Sequence, residues 1–242
     1  MSAHEGTSEA DWITHTALPN LPTWQLPEAG RVVLFSPHPD DETLGAGGTL
    51  RLLVRAGIAV EVIAVSDGEA AYPEADGPAR RVLGDLRQTE QRSALAALGV
   101  TDSQCHWWHL PDGGLSGVPD LADRMLTVLR GAAYCLAPFR DDGHPDHDAV
   151  GRAAACACAT AGVRLGEYPI WAWHWRRPDA FAALWARGRR ILLDDEARQR
   201  KHQALCQYVT QTEGYARWGL ERPVLPAAVL AHFSRSFETL LV

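Results

Sequence analysis

From Arg31 onward the apolar positions alternate between short β-branched runs and longer stretches of helical period. Val32-Val33-Leu34-Phe35, closing at Ser36, has the continuous apolar character of a strand buried on both faces. Glu42 to Arg55 then carries the spacing of a helix, Ile58 to Ser66 that of a strand, and about Gly84 to Leu98 that of a second helix. The order repeats with a strand near Gln104 to Trp108, a helix from about Asp120 to Arg130, a strand from Ala132 to Phe139, and a small-residue helix from Asp146 to Thr160. Alternating strands and helices predict an α/β fold, Rossmann-like, with a mostly parallel sheet covered by helices on both faces.

The last third is less regular. Tyr168 to Trp175 alternates as a strand would, which places Trp171, Trp173 and Trp175 on one face and His174 on the other. That face is either packed against the core or a partner subunit, or a platform on which a sugar stacks. Arg190 to Leu193 reads as a short strand and Asp194 to Val209 as a helix, in which His202 has no assigned role. Residues 1–30, broken by Pro19, Pro22 and Pro27 and carrying Trp12 and Trp24, form a lead segment draped on one domain spanning 31–242.

Composition narrows the class. A chain of 242 residues, 46% hydrophobic, buries one substantial core. The formal charge of −7 and the lack of any basic run argue against a nucleic-acid partner. No apolar run approaches the roughly 18 residues of a membrane span, and the first residues lack the order of a signal peptide, so the cytoplasm is the expected compartment. Cys105, Cys135, Cys156, Cys158 and Cys206 form no CxxC pair and read as small core residues in a reducing setting. Self-association is left open.

Two clusters carry the chemistry. His38-Pro39-Asp40-Asp41-Glu42 follows the first strand, and His144-Pro145-Asp146-His147-Asp148 follows the strand that ends at Phe139. Side chains at the ends of parallel strands emerge at one edge of the sheet, where α/β enzymes place their sites. A catalytic zinc takes three protein ligands from imidazole and carboxylate and keeps a position for water. His38, Asp41 and His147 supply that set, with iron(II) or cobalt(II) as other ions the same ligands accept. Asp40, beside a ligand yet not needed for coordination, is the candidate general base, and His144 is placed to steady an oxyanion or protonate a leaving group. Asp146 is a helix N-cap, a carboxylate that fixes the His144 tautomer or steers the neighbouring imidazole, or both. Gly45, Gly47 and Gly48 follow the acidic cluster and read as close packing of a helix on the sheet. The stretch from Gly68 to Arg81 is either a wall of the cleft or a plain surface loop.

These residues resemble the PIG-L/LmbE family of metal-dependent N-deacetylases. The likeness rests on Pro37-His38-Pro39-Asp40-Asp41-Glu42 with Gly45-Ala46-Gly47-Gly48, and on His144-Pro145-Asp146-His147, which fits the family's HxDH pattern. It extends through Ser66-Asp67-Gly68-Glu69, Arg87-Gln88-Thr89-Glu90, Ala97-Leu98-Gly99-Val100 and Leu110-Pro111-Asp112-Gly113, covering roughly residues 31 to 160. The resemblance implies zinc on His38, Asp41 and His147, Asp40 as base, and Arg87 and Asp112 as contacts to sugar hydroxyls. It also implies a small-molecule N-acyl sugar or glycoconjugate as substrate. Two rivals stand beside this reading: a metal-dependent phosphoesterase, and a non-catalytic ligand-binding α/β module whose acidic clusters are only helix caps.

Overall fold

In the computed structural model, which describes residues 6–213 and 222–242, Val32 to Phe35 are buried in β1 (Arg31–Ser36) near the middle of a seven-stranded sheet. The other strands are β2 (Ala59–Ser66), β3 (Cys105–Leu110), β4 (Tyr134–Pro138), β5 (Arg164–Tyr168), β6 (Gly188–Leu192) and β7 (Phe237–Leu241), in the order β3-β2-β1-β4-β5-β7-β6. The first five run parallel, while β7 pairs antiparallel with both β5 and β6. This is the α/β fold with a mostly parallel sheet that the periodicity predicts.

The two-residue period of β1 sorts its side chains. Val32 and Leu34 join one apolar cluster with Trp12 of α1 (Glu9–Thr14), Leu44, Leu50 and Leu53 of α2 (Asp41–Arg55), Leu95 and Leu98 of α3 (Gly77–Leu98), and Ala204 of a C-terminal helix (Asp195–Leu205). Val33 and Phe35 join a second cluster with Met125 and Leu129 of α4 (Leu121–Leu129) and Val150 and Ala154 of α5 (Pro145–Ala161). Helices therefore cover both faces, and β1 and β4 are buried along their whole apolar runs.

The glycines of α2 do serve close packing. A Cβ at Gly45 would lie 2.2 Å from the Tyr168 ring, and one at Gly48 would lie 2.5 Å from Leu193. Gly151 presses α5 onto the end of β4 still more tightly, since a Cβ there would sit 2.6 Å from the Pro138 carbonyl oxygen and 2.7 Å from Arg140 Cα. Backbone cannot rotate aside as a side chain can. Gly151→Ala is accordingly expected to destabilise the fold by about 1–3 kcal/mol through overpacking, measured as a lower urea midpoint at constant m. A midpoint at the wild-type value would mean that α5 is free to lift from β4.

Several elements differ from the sequence reading. α3 begins at Gly77, seven residues earlier than its apolar period suggests, because the Asp76 carboxylate accepts the Ala79 N–H at 2.9 Å and Pro78 occupies the first turn. The helix after Asp194 ends at Leu205, and a separate turn covers Val209–Thr212. Tyr168 to Trp175 is not a strand: β5 stops at Tyr168, and Ala172–Trp175 forms a helical turn. The reason is Asp142, whose carboxylate accepts the N–H groups of Ile170, Trp171 and Ala172 at 2.8, 2.9 and 3.0 Å and turns the chain out of the sheet. Of the five cysteines only Cys105, Cys135 and Cys158 are buried; Cys156 is exposed on the outer face of α5, and Cys206 is exposed just past the helix that ends at Leu205.

Residues 1–5 of the lead segment lie outside the described residues. The rest of it is anchored at several points: Trp12 is fully buried, packs edge-on against Trp173 and Phe181, and donates from Nε1 to the Trp173 carbonyl at 2.6 Å. No described helix is long and apolar enough to cross a membrane.

Candidate active site and metal centre

The sheet order reverses between β1 and β4, since chain connections lead from β1 toward β2 and β3 on one side and from β4 toward β5 on the other. Such a switch point opens a crevice at the carboxyl ends of the strands. Both chemical clusters follow these two strands, so the topology brings residues a hundred apart in sequence to one place.

The β1–α2 turn is strained. Asp40 has φ 127° and ψ −33°, a region that costs a non-glycine residue about 1–3 kcal/mol. It occupies the N-cap of α2 without a side-chain capping bond. Its carboxylate is instead turned toward Arg87, whose Nη2 donates to Oδ2 at 3.0 Å and to the Pro39 carbonyl at 2.7 Å. Burial pushes the Asp40 carboxyl up to about 8, against the pull of Arg87 and with the push of Asp41. Behind the turn, the buried Glu42 accepts from Ser36 Oγ at 2.8 Å, Gln91 Nε2 at 3.0 Å and the Tyr208 hydroxyl, which fixes the backbone that presents Asp40 and Asp41.

His38 Nδ1, Asp41 Oδ2 and His147 Nε2 converge. Their separations are 3.2 Å for His38–Asp41, 3.1 Å for Asp41–His147 and 3.3 Å between the two imidazoles. A tetrahedral ion with bonds of roughly 2.0–2.1 Å has ligand–ligand edges of about 3.3 Å. The donor set therefore fits a divalent metal in both spacing and chemistry. Charge agrees: Asp40, Asp41, Asp142 and Asp146 are buried together, and Arg87 is the one guanidinium among the described residues lining the cleft.

The far nitrogens of both imidazoles are held by carboxylates. His147 Nδ1 meets Asp142 Oδ2 at 2.8 Å, while His38 Nε2 meets Asp112 Oδ1 at 3.1 Å and Asp146 Oδ2 at 3.2 Å. Carboxylates in these positions fix ring orientation and point the other nitrogen at a metal. Burial alone would lower the His147 pKa, but the Asp41 charge and the bonds to Asp142 and Asp41 win and push it up to about 9. Burial would likewise raise Asp41, yet His147 and His38 hold it well below the usual carboxylate range.

His144 differs from the other two. Burial and the neighbouring His147 and His38 depress it to about 4, so the ring is neutral at pH 7. As the N-cap of α5 it accepts the Asp146 N–H at Nδ1, 3.3 Å away. The remaining proton then resides on Nε2, which makes this face of the ring a neutral donor.

A cleft of about 230 Å³ joins these parts, with His38, Asp40, Asp41, Arg87, Asp112 and His144 on its polar side and Leu44, Ile170, Trp171 and Leu225 on its apolar side. Ala70 and Ala71 line it too, so part of the loop after β2 is a cleft wall. Arg87 and Asp112 are both present, and both are also engaged within the protein: Arg87 Nη1 donates to Gly68 O at 2.7 Å, and Asp112 Oδ2 accepts the Ala70 N–H at 2.7 Å. Asp146 is not the N-cap of α5, a place His144 takes. Its carboxylate accepts from Gly113 N at 2.7 Å and Leu115 N at 3.0 Å, and it steers His38 rather than His144.

The residue that sequence reasoning missed is Asp142. It ties the His147 ring to the start of the Trp171 turn, and the signal available was an acidic pair, Asp141-Asp142, between a buried strand and the second cluster.

A family model described as PIG-L: GlcNAc-PI de-N-acetylase matches residues 33–158. The 1D-myo-inositol 2-acetamido-2-deoxy-alpha-D-glucopyranoside deacetylase of Actinosynnema mirum is 30% identical over 159 residues, 55% of this chain and 56% of that one. Diacetylchitobiose deacetylase of Thermococcus kodakarensis is 28% identical over 138 residues, 55% of this chain and 51% of that one. The chain thus spans about half the length of the curated relatives it matches. Among solved structures, the N,N'-diacetylchitobiose deacetylase of Pyrococcus horikoshii superimposes with a TM-score of 0.57 at 18% identity, over 83% of this chain and 75% of that one, a likeness of fold. The family match runs from β1 into α5, covers just over half of the residues and contains both clusters that meet at the switch point, and the chain belongs to the PIG-L (GlcNAc-PI de-N-acetylase) family.

Proposed function

We propose that the protein is a zinc-dependent amidohydrolase that removes an acetyl or related acyl group from the amine of an N-acetylglucosamine-type sugar or sugar conjugate. The observation that carries this reading is the convergence of His38 Nδ1, Asp41 Oδ2 and His147 Nε2 within 3.1–3.3 Å of one another, with Asp40 and His144 beside them in one cleft.

His38, Asp41 and His147 would hold the metal, which when bound polarises an acyl oxygen and acidifies water. Asp40, held by Arg87 and free of capping duty, takes the proton of the attacking water at its carboxylate. The Nε2–H of His144 donates to the oxyanion that develops as the acyl carbon becomes tetrahedral. The proton on Asp40 then passes to the amine nitrogen as the C–N bond breaks. Asp112 is the cleft residue assigned to the sugar hydroxyls, while Arg87, bonded to Asp40, Pro39 O and Gly68 O, positions the base.

A phosphoesterase is less well served, because a phosphoryl group calls for free basic clamps or a second metal. Arg87 is committed to Asp40 and two carbonyls, and Arg140 lies in a two-pronged pair with Glu167 at 2.6 and 2.9 Å.

The test is amine release from a panel of N-acetylglucosaminides, with metal removed by a chelator and restored. Release that stops on chelation and returns with zinc is expected. Binding should also expel a proton, because His147 carries one at pH 7 in the metal-free site and must lose it to act as a ligand. Apparent zinc affinity is therefore expected to rise with pH up to about 9, with calorimetric heats that depend on the buffer's ionisation enthalpy. Unchanged release after complete chelation would overturn the proposal, and buffer-independent heats would remove the proton exchange at His147.

A further inference from the structure

Two large aromatic rings stand beside the cleft: Trp171, partly buried against the core and lining the cleft, and Trp175, stacked on it. Trp173 points inward, 3% exposed and stacked on Phe181 with ring centroids 5.6 Å apart. Trp171 and Trp175, four residues apart on the helical turn, share the outer face and lie parallel, their centroids 4.9 Å apart and their planes 14° from each other. Trp171 lines the cleft, whereas Trp175 stands 47% exposed, the one aromatic among the large exposed hydrophobic side chains of the described residues. The pair makes a step that leads from the polar cleft out to solvent.

Its position is fixed from the catalytic side. Asp142 Oδ2 receives the Trp171 N–H at 2.9 Å and meets His147 Nδ1 at 2.8 Å, so one oxygen indexes the aromatic turn to the metal-facing imidazole. Trp175 also lies over the loop that bears His144, its Cε3 3.2 Å from where a Gly143 Cβ would be. A rigid, pre-set aromatic surface loses little entropy when a ring settles on it. The polar side of the cleft below, where carboxylates and histidines stand with Arg87 as the one arginine among the described residues, suits the polar, amide-bearing sugar, which leaves the step for whatever that sugar carries.

We propose that Trp171 and Trp175 form a second binding subsite, which stacks a flat aromatic aglycone of the amide-bearing sugar and makes glycosides with such an aglycone preferred over those with a small alkyl one. The proposal rests on the deacetylase reading for its substrate class. It names Trp175 as a specificity-determining residue outside the catalytic cluster.

The experiment compares the methyl and phenyl glycosides of N-acetylglucosamine, in the same anomer, with zinc-loaded wild type, Trp175→Ala and Trp175→Phe. Wild type is expected to favour the phenyl glycoside by about tenfold in kcat/KM, Trp175→Ala to bring the ratio close to one, and Trp175→Phe to keep most of it. A substitution that merely loosened the fold would lower both substrates together and leave the ratio intact. A wild-type ratio near one, or a ratio that survives Trp175→Ala, overturns the proposal. Loss of assembled mass by light scattering in Trp175→Ala with the ratio preserved reassigns the face to a contact between copies of this chain. If neither glycoside is cleaved, the deacetylase reading falls on its own. Calorimetric binding of the two glycosides still decides the subsite: tighter phenyl binding that is lost in Trp175→Ala upholds it, and equal binding in all three proteins overturns it.

Discussion

Asp40→Asn is expected to lower kcat for amide hydrolysis by about 10³-fold while zinc remains bound at one equivalent. Asparagine keeps the shape of the side chain and tolerates positive φ better than most residues, so the strained turn at φ 127° survives the change. What disappears is a cleft carboxylate next in sequence to the proposed ligand Asp41, free of side-chain capping and able to take a proton from water. Arg87 keeps its bonds to Gly68 O and Pro39 O, which limits the structural cost. The pH profile separates a lost base from a distorted site. In the wild type, activity should fall as pH drops through the Asp40 pKa, because only the ionised carboxylate accepts a proton. That limb lies below about 8, the value burial gives the carboxyl before a cation is added, since a nearby positive charge favours the ionised form. In Asp40→Asn the limb should vanish along with the activity. Turnover within tenfold of wild type, at full zinc occupancy, would require another base and would sink the assignment.

The parts of this molecule that were legible from the sequence are those whose signals are local. The strand at Val32 to Phe35 is a continuous apolar run followed at once by His38 to Glu42, and the same grammar repeats at Ala132 to Phe139 and His144 to His147. Two such units are enough to place a site, because parallel strands send both clusters to one edge. What stayed hidden depends on partners far away in sequence. The alternation from Tyr168 to Trp175 imitates a strand, and only the Asp142 carboxylate, 28 to 30 residues earlier, turns it into a helical turn. β7 is buried along all five residues between β5 and β6, so Phe237 to Leu241 lacks the alternation that marks a half-exposed strand, and its Glu238 and Thr239 look out of place in a core. The role of Asp146 was open for a similar reason: sequence puts it two residues from His144, yet the fold aims its carboxylate at His38.

Glu238→Ala is expected to lower the melting temperature by roughly 10 °C, far more than Lys201→Met. The argument begins inside α2, where Ala46 at φ −144° and ψ 15° breaks the helix. In an unbroken helix the Gly48 N–H would bond the Leu44 carbonyl and the Thr49 N–H the Gly45 carbonyl. Instead Glu238 accepts from Gly48 N and Thr49 N, each at 2.8 Å, and from Thr49 Oγ1 at 2.6 Å, while Lys201 Nζ donates to the stranded Leu44 carbonyl at 2.8 Å. The two charges close the circuit at 2.7 Å, and each residue is only 4% exposed. Removing the carboxylate strands two backbone donors, a hydroxyl and an ammonium in the interior, which costs about 3–5 kcal/mol. Removing the lysine leaves Glu238 with its three remaining donors, so the loss is smaller. The break matters to function because the first turn of α2 carries Asp41 and Glu42 toward the site while the rest of the helix packs along the sheet. Glu238→Ala should therefore weaken zinc binding as well as stability, with His38, Asp41 and His147 all intact. Equal melting temperatures for the two variants would mean that the carboxylate does not hold the broken helix, and wild-type zinc affinity in Glu238→Ala would uncouple the break from the metal centre.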